Sequence, residues 1–90
     1  MGRMIDAAEP MVAISTAHLT PLTAGLIQSG DIDVSCYPNE YGAFLYVGEN
    51  VSRQTDLNAV LERARSLGFV WIKFDSDAAE VNDLEIYPWE

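Results

Sequence analysis

Ninety residues support one compact domain and not two independent cores. Hydrophobic residues make up 49% and charged residues 21% of the chain, ordinary globular usage that excludes wholesale disorder. Fourteen acids against five bases give a formal charge of −9 and a pI near 4.2, which repels phosphate backbones and argues against direct nucleic-acid binding.

Met1 to Pro10 lacks periodicity and ends at a proline, which predicts a flexible leader, with at most one helical turn around Asp6 to Glu9, ahead of a single domain over 11–90. Met11 to Thr16 is a short apolar run with β-branched Val12 and Ile14, and predicts the first strand. Thr20 then Pro21 matches a helix N-cap and first helical residue; the helix runs through Leu22, Leu26 and Ile27 and stops at Gly30, whose missing Cβ permits a left-handed C′ position. From Asp31 the period changes to two. Ile32, Val34 and Cys36 share one face, and Asp31, Asp33 and Ser35 the other, which predicts a half-exposed second strand.

Tyr37 to Gly42 carries proline, asparagine and glycine between two strand-like runs and predicts a hairpin loop. Ala43 to Val47 follows as the third strand, closed by the turn signal Gly48 to Asn50. Leu57, Val60, Leu61, Ala64 and Leu67 recur at helical spacing, with Thr55 or Asp56 as cap and Gly68 as stop. Arg63 and Arg65 fall in its last turns, where cations favour the helix dipole, and Glu62 can pair with Arg65. Phe69 to Phe74 is the next strand, and Leu84 to Tyr87 is expected to return beside it. The order β-α-β-β-α-β-β predicts an α+β two-layer sandwich, a ferredoxin-like variant with an antiparallel-rich sheet and both helices on one face.

Chemistry-bearing motifs are sparse. His18 has Ser15 and Thr16 nearby, but no nucleophile-elbow glycine pattern surrounds the serine. Cys36 sits on the apolar side of its strand without a base to lower its pKa, and reads as a core thiol. A metal reading would use Asp75, Asp77, Glu80 and Asp83, yet the run lacks the central glycine of an EF-hand loop. No CxxC, HExxH or phosphate-loop pattern occurs, so no catalytic residue, metal or cofactor is expected. A lone cysteine, the lack of a secretory pattern at the start and the absence of a long apolar run favour a soluble cytosolic protein.

What remains is segregated charge. Asp6, Glu9, Asp31, Asp33, Glu40 and Glu49 lie in a base-free stretch from Met4 to Ser52, and Asp75, Asp77, Glu80, Asp83, Glu85 and Glu90 form a second one. Residues two apart on a strand stand ~6.6 Å from each other, comparable with successive phosphates, so Asp31 and Asp33 suit a DNA mimic inserted into a basic groove. Tyr37 and Tyr41 bracket Glu40, and Trp89 lies near the C-terminus; such residues anchor interfaces, whereas Phe44, Phe69, Trp71 and Phe74 read as packing. The expected contact set is therefore Asp31, Asp33, Tyr37, Glu40, Tyr41, Glu49, Asp75, Asp77, Glu80, Asp83, Glu85 and Trp89, acting from a monomer on a basic protein surface.

At Ile14 to Leu19, Tyr37 to Gly42 and Phe74-Asp75, the chain resembles a family of small proteins carried on proteobacterial plasmids and prophages, over about Val12 to Trp89. No activity is established for that family. The resemblance implies a counter-defence role, an anti-CRISPR inhibitor blocking the DNA-binding groove of a type I Cascade-type effector, which reads its PAM and duplex backbone with basic residues. The alternatives are a small metal-dependent enzyme using His18 and the acidic loop from Asp75 to Asp83, or an antitoxin-like partner of a basic protein; if the shared motifs mark something other than a decoy, His18, Asn39 and Glu40 are the polar residues to suspect.

Overall fold

A computed structural model describes residues 3, 4 and 8–89, so the turn expected around Asp6 falls largely outside the described residues. The domain is α+β in two layers. Four strands, β1 (Met11–Ile14), β2 (Cys36–Asn39), β3 (Gly42–Tyr46) and β4 (Trp71–Asp75), form one sheet beside helices α1 (Pro21–Ser29) and α2 (Thr55–Ser66). The sheet order is β1-β4-β3-β2, with β1 parallel to β4 and the other two pairs antiparallel. The ferredoxin-like likeness therefore extends to the β-α-β-β-α-β element order, while β1 is an edge strand running parallel to the last strand.

Register sorts the side chains by row. Val12, Ile72, Leu45 and Cys36 align in one row, and Ile14, Phe74, Ala43 and Pro38 in the next. Most of these inner residues join Ile27 of α1 and Leu57, Val60, Leu61 and Ala64 of α2 in a single core, which puts both helices on the same face. The alternate rows point away from the helices.

Local chemistry explains the ends. Thr20 caps α1 by accepting the Thr23 N–H at 3.2 Å, and Gly30, at φ 81°, takes the left-handed position that ends it. Gly42 is required by close approach: a Cβ there would sit 1.9 Å from the Phe74 carbonyl oxygen on β4.

Several sequence expectations need correction. The second strand begins at Cys36, where the predicted one ends; residues 31–35 pair with no strand and bend at 32–34, with the Asp33 carboxylate tied to the loop before α2. Tyr37, Pro38 and Asn39 belong to a strand, and the hairpin turn is only Glu40-Tyr41. An edge strand accommodates Pro38, which has no N–H to offer a second neighbour. Asn39 Oδ1 accepts the Tyr41 N–H at 2.9 Å and Gly42 follows, a type I turn signature in which neither central residue needs positive φ. Gln54, not Thr55 or Asp56, precedes α2 as its cap, without a side-chain bond.

Arg65 spans from α2 to the carbonyls of Gly48 and Asn50, not to Glu62, which accepts from Asn58. The Leu84 to Tyr87 strand does not form. Residues 79–89 instead make an irregular strap whose backbone–backbone bonds go to the turn after β1: Ser15 N–H to the Ala79 carbonyl at 3.1 Å, and Tyr87 N–H to the Ala17 carbonyl at 2.9 Å. No helix among the described residues is long and apolar enough to cross a membrane.

Candidate functional site

Several of the acids expected to act together are engaged by partners of their own. Asp33 accepts from the Ser52 hydroxyl and the Arg53 N–H, both at 2.7 Å, and these two bonds hold its carboxyl below the usual carboxylate range. Asp31 accepts from Ser29 at 3.0 Å. With no strand beneath them, Asp31 and Asp33 lack the extended backbone on which the phosphate-like spacing rested. Asp83 pairs with Arg63 at 2.7 Å, and that hydrogen bond lowers its pKa. Glu85 contributes its backbone carbonyl to His18, while Glu49, Asp77 and Glu80 are exposed.

His18 is buried, with both ring nitrogens engaged by the strap. Val81 N–H donates to Nε2 at 2.9 Å, so Nδ1 carries the proton that Glu85 accepts at 2.9 Å. The imidazole is thereby a clasp between the turn after β1 and the strap. Ser15, the nucleophile considered beside it, spends its oxygen on the Ala17 N–H. Cys36 packs against the core, and burial pushes its thiol pKa up. The run from Asp75 to Asp83 does not converge: Asp75 Oδ1 accepts the Asp77 N–H in a local turn, and no three metal-ligating side chains cluster among the described residues.

Two surfaces do assemble chemistry. The first is the outer face of the sheet. Register aligns Met11, Trp71 and Tyr46 in one row and Ala13, Lys73, Phe44 and Tyr37 in the next. Trp71 is the hub: its ring centroid lies 5.2 Å from Tyr46, edge to face, and 6.2 Å from Tyr37. Tyr37 is 58% exposed, Met11 50% and Tyr46 40%, so no further layer of the described residues covers this face.

Acids bound it. Glu9 accepts the Trp71 indole N–H at 3.1 Å, and Asp75 stands 3.6 Å from Lys73, the one cation in the two rows, which lies 5.9 Å from the Phe44 ring centre. Phe44 and Trp71, expected to pack in the core or on the sheet, pack on the sheet's open face and not the helix-covered one. The signal was legible, because Phe44 and Tyr46 alternate with Ala43 and Leu45, as Trp71 does with Ile72; apolar residues on both phases of a strand mean that both faces are apolar.

The second surface is a cleft of about 240 Å³ between α1 and the β2–β3 turn, lined by Glu40, Tyr41 and Trp89 among others. Three sequence-selected residues meet there.

The family comparison covers nearly the whole fold: the model for a family of unknown function (DUF5983), C-terminal domain, matches residues 11–89. The chain belongs to the DUF5983 family. No curated protein and no solved structure matches it. The match begins at the first residue of β1 and ends at Trp89, so both surfaces of the DUF5983 domain lie within it, apart from the Glu9 that borders the sheet face.

Proposed function

We propose that this DUF5983 domain is a non-enzymatic binding module that presents the outer face of its sheet to a basic protein partner. The observation that carries the reading is the aromatic group of exposed Tyr37 and Tyr46 around half-buried Trp71, with Phe44 beside it, on a face that no further layer of the described residues covers. Contiguous exposed aromatics mark interaction surfaces, since Tyr and Trp bring large contact area at low entropic cost. The charge of −9 and the bordering Glu9 and Asp75 favour a cationic partner, whose arginines stack on such rings.

The narrower form, an anti-CRISPR inhibitor occupying the basic groove of a type I effector in the bacterial cytosol, draws support from the net charge and from the resemblance at Ile14 to Leu19 and Tyr37 to Gly42. The aromatic face makes its mode a mixed aromatic and acidic contact, not a ladder of carboxylates.

Nuclear magnetic resonance titration of the labelled chain with an oligo-arginine peptide tests the surface. Shifts are expected at Tyr37, Phe44, Tyr46 and Trp71, and Trp71→Ser should weaken binding by about tenfold. Affinity should fall as the screening length drops from ~30 Å at 0.01 M salt to ~8 Å at 0.15 M. Shifts confined to the helical side, or a Trp71→Ser variant that binds as wild type does, would refute the reading. Competition between the protein and target duplex for a purified type I effector decides the narrower form.

A further inference from the structure

The cleft between α1 and the β2–β3 turn has a composition that selects its ligand. Its floor is mostly core: Leu19, Ile27, Ala43 and Phe74, with half-buried Ala24 beside them, present hydrocarbon. Its open sides are the rings of Tyr41 and Trp89, 58% and 48% exposed. The nitrogen donors at the rim are already spent. Gln28 Nε2 donates to the Asn39 carbonyl at 3.2 Å and the Gly42 carbonyl at 2.7 Å, locking the amide so that it can only accept from a ligand. Trp89 Nε1 donates to the Leu19 carbonyl at 2.9 Å, leaving its π face. Glu40 adds a carboxylate on the turn, and none of the described lining residues is cationic.

An apolar floor, aromatic sides, acceptors and one negative charge complement a ligand that is apolar in its body, rich in donors and positively charged at its head. We propose that this cleft is a binding site for an organic cation, an ammonium or guanidinium on an apolar stem. A dry cavity of about 150 Å³ holds benzene, so 240 Å³ has room for such a body together with its headgroup. Two sources supply that chemistry: a small free amine, or an arginine side chain of a partner. The site stands apart from the sheet face, on the other side of β3, and does not depend on the sheet-face reading.

The test titrates the full chain with 2-phenylethylamine and, separately, with a terminally blocked arginine tripeptide, following the Trp89 indole and the Ile27 and Leu19 methyls by nuclear magnetic resonance. Neutral 2-phenylethanol is the control. Saturable shifts at these three residues with either cation support the site; amine alone assigns a small molecule, and peptide alone a partner's side chain. Glu40→Gln, in an exposed turn, should weaken binding by about fivefold to tenfold, and Trp89→Phe, which keeps an aromatic ring, should weaken it less than Trp89→Ala. Equal binding of the alcohol, an unchanged affinity in Glu40→Gln, or no shift with either cation would overturn the proposal. Shifts at Tyr37 and Trp71 report the sheet face separately, so either surface can fail alone.

Discussion

Asp56 sits where the sequence suggests a helix cap, and it caps the wrong helix. Its carboxylate is buried and accepts the Thr20 N–H and the Thr23 hydroxyl, each at 2.8 Å, at the entry of α1, thirty-odd residues away. It thus stabilises the N-terminus of one helix from the first turn of the other, where a negative charge also suits both dipoles. Truncation leaves a buried hydroxyl and an amide without an acceptor. Asp56→Ala should lower the unfolding free energy by about 2–4 kcal/mol, read from urea denaturation. A loss below about 0.5 kcal/mol would mean that water replaces the carboxylate and that the inter-helix role is minor. Nothing local distinguishes Asp56 from an ordinary first-turn acid, because its partners are set by how the helices pack.

At the scale of elements, side-chain periodicity was the dependable signal and hydrogen-bond partners were not. The α1 cap at Thr20-Pro21, its stop at Gly30, and the α2 stripe from Leu57 to Ala64 follow from residue chemistry within one turn and stand in the structure, whereas Leu67, expected on the same stripe, is exposed where the helix ends. Alternation at Ile32 and Val34 correctly turned those side chains inward, yet no ladder forms there, since a strand also needs a neighbour. The strap shows the same limit: Val81 and Leu84 pack on the core as a strand's residues would, but their backbone runs against a turn. His18 holds that strap. His18→Leu should therefore cost the Val81 and Tyr87 amides at least about tenfold in hydrogen-exchange protection, while Leu45 and Ile72 keep most of theirs. Uniform loss across the sheet would show that the strap and core open as one unit.

For the molecule as a whole, charge and hydrogen bonding pull in opposite directions with pH. Acidification from neutrality titrates the carboxylates behind the −9 charge toward the pI near 4.2 and relieves self-repulsion. Asp33 and Asp83, whose folded pKa values lie below the ordinary 3.8, keep their stabilising bonds throughout that range. A depressed carboxyl contributes fully above its unfolded pKa and loses that contribution as pH falls through its folded value. Thermal unfolding followed by circular dichroism should accordingly hold or rise from pH ~7 to ~5 and fall only below about pH 4, with a shallower acid limb in Asp33→Asn. A midpoint that already drops between pH ~7 and ~5 would contradict this assignment.

The sequence by itself determined the class of the fold, the inward phase of Ile32, Val34 and Cys36, both helices and the excess of carboxylates, because each rests on local stereochemistry or on composition. Tertiary structure alone decided which acids are free: Asp33, Asp56 and Asp83 are occupied by partners nineteen or more residues away, a fact no spacing rule contains. It also decided that Glu40, Tyr41 and Trp89 share a cleft and that Tyr37, Tyr46 and Trp71 share an open face. Strand order and the single helical layer set those juxtapositions, and both come from how the chain buries its one core, which is a property of the whole chain and not of any segment.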